Sequence, residues 1–160
     1  MSWVVLHLRP RSEKKVAQVC EINGLDYYLP LRAETKIYQR RKVTVKKPMF
    51  PGYMFVSYEG DQKICLLRTN HVIHILKPPS EDLLVHQLDQ IKKALEVDET
   101  LGAEDAVQKG RRGIIKAGPF MGIEGVIDYT GKQGVVRLNI EMIGQAVVVE
   151  MDRDYIEIID

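Results

Sequence analysis

The stretch Pro48-Met49-Phe50-Pro51-Gly52-Tyr53-Met54-Phe55-Val56 decides the fold of the first half of this chain of 160 residues. Its Pro51-Gly52 pair has the chemistry of a type II turn, because proline presets φ at the second position and glycine accepts a positive φ at the third. Aromatic and β-branched residues follow, and they predict a strand from Met49 to Tyr58. We therefore expect a tight turn that leads straight into a strand.

Both faces of this strand are apolar. Side chains alternate along a strand, so one face carries Tyr53 and Phe55 and the other carries Met54 and Val56. A strand buried on both sides is one interpretation. An open apolar groove that binds a partner is the other. The sequence alone leaves both interpretations open.

The residues around this strand predict an α+β first domain. Ser12 is expected to cap the first helix and Gly24 to end it, and Ser80 is expected to cap the third helix. The other predicted elements are a strand Trp3–Leu8, an extended segment Leu25–Leu31, an exposed hairpin or loop 33–47, a helix Asp61–Arg68 and a strand Val72–Leu76. This order predicts a ferredoxin-like domain whose helices pack on an antiparallel sheet.

The last third of the chain has a different character. Residues 96–108 contain five acids and no base, which predicts an acidic linker between a domain 1–95 and a domain 109–160. In the last domain, short apolar runs alternate with turns that contain Gly or Asp. The runs are Gly113–Lys116, Gly125–Tyr129, Gly134–Asn139, Ala146–Glu150 and Tyr155–Ile159. Five such strands predict a small β-barrel.

The net charge of +1 hides an uneven distribution. Residues 1–95 contain 16 Lys and Arg against 9 Asp and Glu, whereas residues 109–160 contain 7 bases and 8 acids. Six of the bases fall in the hairpin or loop: Lys36, Arg40, Arg41, Lys42, Lys46 and Lys47. Such a segment either binds phosphate or is a solvated hairpin, and charge alone does not decide. The last domain lacks the basic footprint of a nucleic-acid module.

A second marker, Gly118-Pro119-Phe120-Met121-Gly122, precedes the second predicted strand of the last domain. It places a large apolar residue, Phe120, in a turn. An exposed ring that contacts a partner and a ring buried in the core are both compatible with this position.

Enzyme signals are weak. His71 and His74 have the spacing of a metal site, but no Cys or carboxylate cluster completes it. The Gly131-Lys132-Gln133 segment lacks the Ser or Thr of a phosphate loop and is better explained as a hairpin turn. We therefore predict no catalytic residue, no metal and no cofactor. The absence of a membrane-length apolar run and of a leader, together with only two cysteines, predicts a cytoplasmic protein with free thiols.

These segments resemble a known family. Ser2-Trp3-Val4-Val5, Tyr28-Leu29-Pro30, the basic stretch and the stretch 48–56 resemble the NusG N-terminal domain. Residues 110–160, with Gly118-Pro119-Phe120, Ile143-Gly144 and Val149-Glu150, are similar to its C-terminal KOW domain, an SH3-like barrel. The resemblance covers nearly the whole chain.

The resemblance implies a monomeric transcription elongation factor that docks on the clamp helices of the largest RNA polymerase subunit and suppresses pausing. Carried over by position, the polymerase-binding patch comprises Trp3, His7, Phe50, Pro51, Tyr53 and Phe55. The residues that face upstream or non-template DNA are Arg9, Arg11, Lys14, Arg40, Arg41 and Lys42. The KOW domain is expected to bind Rho or a ribosomal protein through Gly118, Pro119, Phe120 and Met121.

Some positions depart from the family pattern. Thr69-Asn70-His71-Val72 stands where relatives commonly have Thr-Pro-Gly-Val, and Gln145 stands where an Arg is common. The contact made by the first of these segments in relatives is therefore expected to differ here. The shortness of the chain and the segment 36–47 resemble a specialised antiterminator of the RfaH or polysaccharide-operon type. The alternatives are a general NusG and a KOW-type module that binds RNA or the ribosome.

Overall fold

The computed structural model describes residues 2–107 and 109–159. Met1, Gln108 and Asp160, which fall in the predicted first domain, linker and last domain, lie outside the described residues. In chain order the elements are β1 (Ser2–Leu8), α1 (Glu13–Ile22), β2 (Asp26–Tyr28), β3 (Leu31–Tyr38), β4 (Arg41–Pro48), β5 (Tyr53–Tyr58), α2 (Lys63–Leu67), β6 (Val72–Leu76), α3 (Glu81–Val97), β7 (Ala103–Asp105), β8 (Arg111–Ile115), β9 (Glu124–Thr130), β10 (Gln133–Ile140), β11 (Gln145–Asp152) and β12 (Ile156–Ile158). Short 3-10 helices occupy Gly60–Gln62, Glu141–Ile143 and Arg153–Tyr155.

The chain divides into two compact units, and neither is one continuous run of sequence. The first unit comprises Met1–Leu31 and Pro48–Val85, and the second comprises Arg32–Lys47 and His86–Asp160. The boundary therefore falls within α3 and at the base of the β3–β4 hairpin. The division into domains 1–95 and 109–160 with a linker between them stays a prediction.

An antiparallel four-stranded sheet, in the order β2-β5-β1-β6, forms the centre of the first unit. One face packs against α1 and α2, with Leu6 and Val56 from the sheet beside Val16 and Cys20 from α1. The buried positions of α1 recur at helical spacing, so this helix presents one apolar stripe to the sheet. The opposite face of the sheet carries the residues of the predicted polymerase patch that lie on β1 and β5.

The predicted starts of α1 and α3 and the predicted end of α1 are confirmed, whereas α2 is shorter than the predicted Asp61–Arg68 and follows a 3-10 helix. Ser12 is the N-cap residue of α1, although its hydroxyl donates to the Arg9 carbonyl and makes no capping bond. Gly24 follows the helix with φ of 69°, a conformation that glycine adopts without strain. Ser80 caps α3, because its Oγ accepts a hydrogen bond from the Leu83 amide at 3.2 Å.

The second unit contains a β-rich sheet of six antiparallel strands in the order β12-β8-β9-β10-β11-β7. The five predicted strands of the last domain correspond to β8 through β12. The sixth strand, β7, lies within the stretch predicted as a linker and pairs with β11. The core of the second unit contains Ile115, Ile123, Val136, Leu138, Val147 and Val149.

The α+β class predicted from the sequence is confirmed: a sheet with helices is followed by a β-rich C-terminal part. The exposed hairpin predicted for 33–47 is also present, as β3 and β4. Within the described residues, no helix combines the length and apolar character that crossing a membrane requires.

Candidate interaction surfaces

The Pro51-Gly52 turn is held from three sides. The Tyr53 amide donates to the Phe50 carbonyl at 3.0 Å, and Gly52 has φ of 85°, so the predicted type II turn is confirmed. The Gly52 amide donates to Oε2 of buried Glu13 at 3.1 Å, and the Gly52 carbonyl accepts from the Leu8 amide at 2.7 Å. Helix α1 and strand β1 therefore fix the turn in place.

Three aromatic rings lie side by side across the sheet next to this turn. The His7 ring stacks on Tyr53 with centroids 5.0 Å apart and on His74 with centroids 5.9 Å apart. The register explains the row, because His7 is the partner of Tyr53 on β5 and of His74 on β6. His74 is exposed, and the other two rings are half-buried. We call His7, Tyr53 and His74 the aromatic row.

The structure separates the six residues predicted for the polymerase patch into two groups. Trp3, His7, Pro51 and Tyr53 keep exposed area. Phe50 and Phe55 are 1% and 0% exposed, so in this structure neither ring is available to a partner. Phe55 lies in the middle of β5, on the same face as Tyr53.

A cleft of about 680 Å³ opens beside the turn, within the first unit. Its walls are mostly apolar, and two of its lining residues are basic. The lining residues are His7, Leu8, Pro10, Arg11, Glu13, Lys14, Pro48, Pro51, Gly52 and Ile73. The cleft therefore adjoins the central ring of the aromatic row, His7, and includes two of the predicted DNA-binding residues.

The other predicted DNA-binding residues lie at the tip of the β3–β4 hairpin. Arg40, Arg41 and Lys42 are exposed, as Arg9, Arg11 and Lys14 are in the first unit. Near the hairpin base, Lys47 lies 2.9 Å from Glu34 and holds the pKa of that carboxyl below its usual range. Glu34, the acid of this hairpin, is paired near the base, and no acid occurs between it and the tip. The charges at the tip are therefore all positive.

The predicted partner-binding turn of the second unit presents two exposed apolar side chains, Pro119 and Met121. Met121 is 68% exposed, Pro119 is exposed and Phe120 is half-buried. Gly118 has φ of 84°, and a Cβ placed there would lie 3.1 Å from the Tyr155 ring. Tyr155 therefore lies against this turn.

Sequence reasoning missed His74 and Tyr155. It considered His74 only as a metal ligand, and only the pairing of β6 with β1 shows that the ring joins the aromatic row. Among the described residues, no group of three or more His, Cys, Asp or Glu is arranged to hold a metal ion. Both cysteines are free thiols.

Comparisons with known proteins bear on identity. A search of curated protein sequences finds no match. A structure of Thermotoga maritima NusG matches with a TM-score of 0.52 and 21% identity, over 99% of this chain and 97% of that chain. A structure of the MjSpt4:Spt5 complex matches with a TM-score of 0.32 and 16% identity, over the same shares of each chain.

The first of these matches supports the fold. The family match goes further, because the model of the NusG family, described as transcription termination factor NusG, matches residues 1–100. That span is more than half of the chain and includes the turn and the aromatic row. Membership of this family indicates a transcription factor without enzymatic activity. The chain belongs to the NusG family.

Proposed function

We propose that this protein is an elongation factor that binds the clamp helices of RNA polymerase, suppresses pausing and acts in antitermination. The observation that carries the proposal is the aromatic row beside the Pro51-Gly52 turn. Aromatic side chains are enriched at the energetic centres of protein interfaces, since they bury large areas with little loss of conformational freedom. Here three rings keep exposed area, and the central ring, His7, lines an apolar cleft.

The rigidity of this surface favours binding. The turn is fixed by the Glu13 carboxylate and by the Leu8 amide, and the rings are held by strand register. A surface that is already ordered loses less entropy when it docks. A helical hairpin of the polymerase would thus meet a preformed apolar platform.

We further propose that the exposed basic residues contact upstream or non-template DNA. Arg9 and Arg11 stand next to the first strand, and Arg40, Arg41 and Lys42 form the tip of the hairpin. Each phosphate contact releases condensed counterions, so these residues supply affinity without reading sequence. Arg40 has φ of 68°, a costly conformation for a residue other than glycine.

The turn at Gly118–Met121 is proposed to recruit a second factor, either Rho or a ribosomal protein. The exposed Met121 side chain supports this assignment, because methionine adapts its shape to a partner surface.

A pause assay tests the proposed function directly. Purified core polymerase transcribes a template that contains a known pause site, with and without the full chain. We expect the protein to shorten the pause, because a factor that binds the active state better than the paused state shifts the population toward elongation. Unchanged or longer pauses would reject the proposed activity, whatever the affinity for polymerase.

A further inference from the structure

Two large apolar side chains stand at the tip of the β3–β4 hairpin, in a setting that the proposed phosphate contacts do not explain. Ile37 is 75% exposed and Tyr38 is 68% exposed. Single exposed apolar residues are common and need no explanation. Here two consecutive residues of β3 point to opposite faces, so both faces of the tip expose apolar area, and the segment from Thr35 to Tyr58 contains no acid.

The geometry of the turn sets the neighbours of Tyr38. Gln39 and Arg40 both have positive φ, at 45° and 68°, which is the pattern of a two-residue type I′ hairpin turn. Tyr38 and Arg41 therefore face each other across the turn. The contact of 3.3 Å between the Thr35 and Thr44 hydroxyls fits this register.

Strand alternation places Lys36, two residues before Tyr38, on the same face of the hairpin. The Lys36 ammonium lies beside Lys47, toward the base of the hairpin, so the basic neighbour of the ring is Arg41, across the turn. A partner that covers this tip must satisfy cationic groups around an aromatic ring. Nucleic acid does so, because its phosphates alternate with flat bases, and aromatic rings stack on any base.

We propose that Tyr38 stacks on an unpaired DNA base while Arg40 and Arg41 bind the flanking phosphates. The proposal rests on the DNA contact proposed above and specifies the form of DNA at this site. In a duplex each base already stacks on its neighbours, so an exposed ring gains most where a base is unpaired. Single-stranded or forked DNA is therefore the preferred ligand.

The test compares binding of the full chain to labelled single-stranded DNA of about 16 nucleotides, to a blunt duplex of the same sequence and to the corresponding RNA. One base of the single strand is a fluorescent purine analogue whose emission falls when it stacks. The variants are Tyr38→Ala, Tyr38→Phe and Arg41→Gln. Ile22→Ala, at a side chain that is 76% exposed outside the hairpin, serves as the matched control.

We expect Tyr38→Ala to weaken binding to single-stranded DNA by about 5- to 100-fold and to remove the quenching. Tyr38→Phe and Ile22→Ala should behave like wild type, and the duplex should lose little affinity in Tyr38→Ala. Wild-type binding of Tyr38→Ala to the single strand, an equal loss on the blunt duplex, or tighter binding to the RNA would each overturn the proposal.

Arg41→Gln distinguishes the phosphate contact from the stacking of Tyr38 on a base. If it weakens binding to every DNA while Tyr38→Ala has no effect, the phosphate contact stands and the stacking is rejected. If neither variant changes binding to any DNA, both are rejected. Circular dichroism of each variant confirms that the fold is intact.

Discussion

His7 and Tyr53 stack across the junction of β1 and β5, with ring centroids 5.0 Å apart and planes 16° from parallel. The two residues are register partners, so the pairing of the strands brings the rings together. On the same face, Phe55 is buried while both stacked rings keep exposed area. The end of the sheet near the turn therefore keeps aromatic area for a partner.

Burial gives Phe50 a structural role. Phe50→Ala removes a ring that is almost fully buried, and we expect the free energy of unfolding to fall by about 3–5 kcal/mol, in the range measured for buried aromatic residues. Denaturant unfolding followed by circular dichroism measures the change. A variant with wild-type stability would show that the ring is not part of the core.

The hairpin turn offers a pair of substitutions that separates stability from charge. Arg40→Gly relieves a positive φ, whereas Arg41→Gly places glycine in an extended strand. We expect Arg40→Gly to leave the free energy of unfolding unchanged or to raise it, and Arg41→Gly to lower it by about 0.5–1 kcal/mol.

Both variants lose one positive charge, so each should reduce the salt dependence of DNA binding by about one phosphate contact. Affinities measured over a salt series give this slope. Identical stabilities in the two variants would contradict the turn geometry, and unchanged slopes would contradict the DNA contact.

Gly125 lies where β9 and β10 approach each other closely. A Cβ at this position would lie 2.5 Å from the Arg137 carbonyl oxygen, which belongs to the backbone and cannot move aside. Gly125→Ala should therefore lower the free energy of unfolding by about 1–3 kcal/mol. Gly102→Ala is the matched control, because nothing lies within 4 Å of a Cβ there. Equal melting temperatures for the two variants would contradict this packing.

Local chemistry made much of the fold predictable. The Pro51-Gly52 turn, the cap at Ser80 and the strands of the last domain all follow from residue types that favour those conformations. Strand β7 has no such signal, because two of its three residues are acidic. It forms because it pairs with β11 at the edge of the sheet. That pairing joins residues that lie far apart in the sequence.

The candidate surface was less predictable, because it too depends on contacts between residues that lie far apart in the sequence. The alternation of β5 predicts correctly that Tyr53 and Phe55 share a face. It does not predict that one ring is buried and the other partly exposed, because that depends on what packs over each ring. His74 joins the aromatic row only through the pairing of β6 with β1.

The two thiols should react at very different rates. Burial raises the pKa of the Cys20 thiol to about 12, so almost none of it is thiolate at neutral pH. Cys65 is only partly buried. We expect alkylation of the native protein at mildly alkaline pH to modify Cys65 first and Cys20 only after unfolding, as mass spectrometry of the peptides would show. Rapid labelling of Cys20 in the folded Cys65→Ser variant would contradict its burial.

The affinity of the full chain for core RNA polymerase, compared between wild type and Tyr53→Ala, tests the central claim most directly. We predict a loss of about 2 kcal/mol or more, which is roughly thirty-fold in the dissociation constant, with the fold intact and Ile22→Ala unchanged. A folded Tyr53→Ala variant that binds polymerase as tightly as wild type would contradict the assignment of the aromatic row as the docking surface.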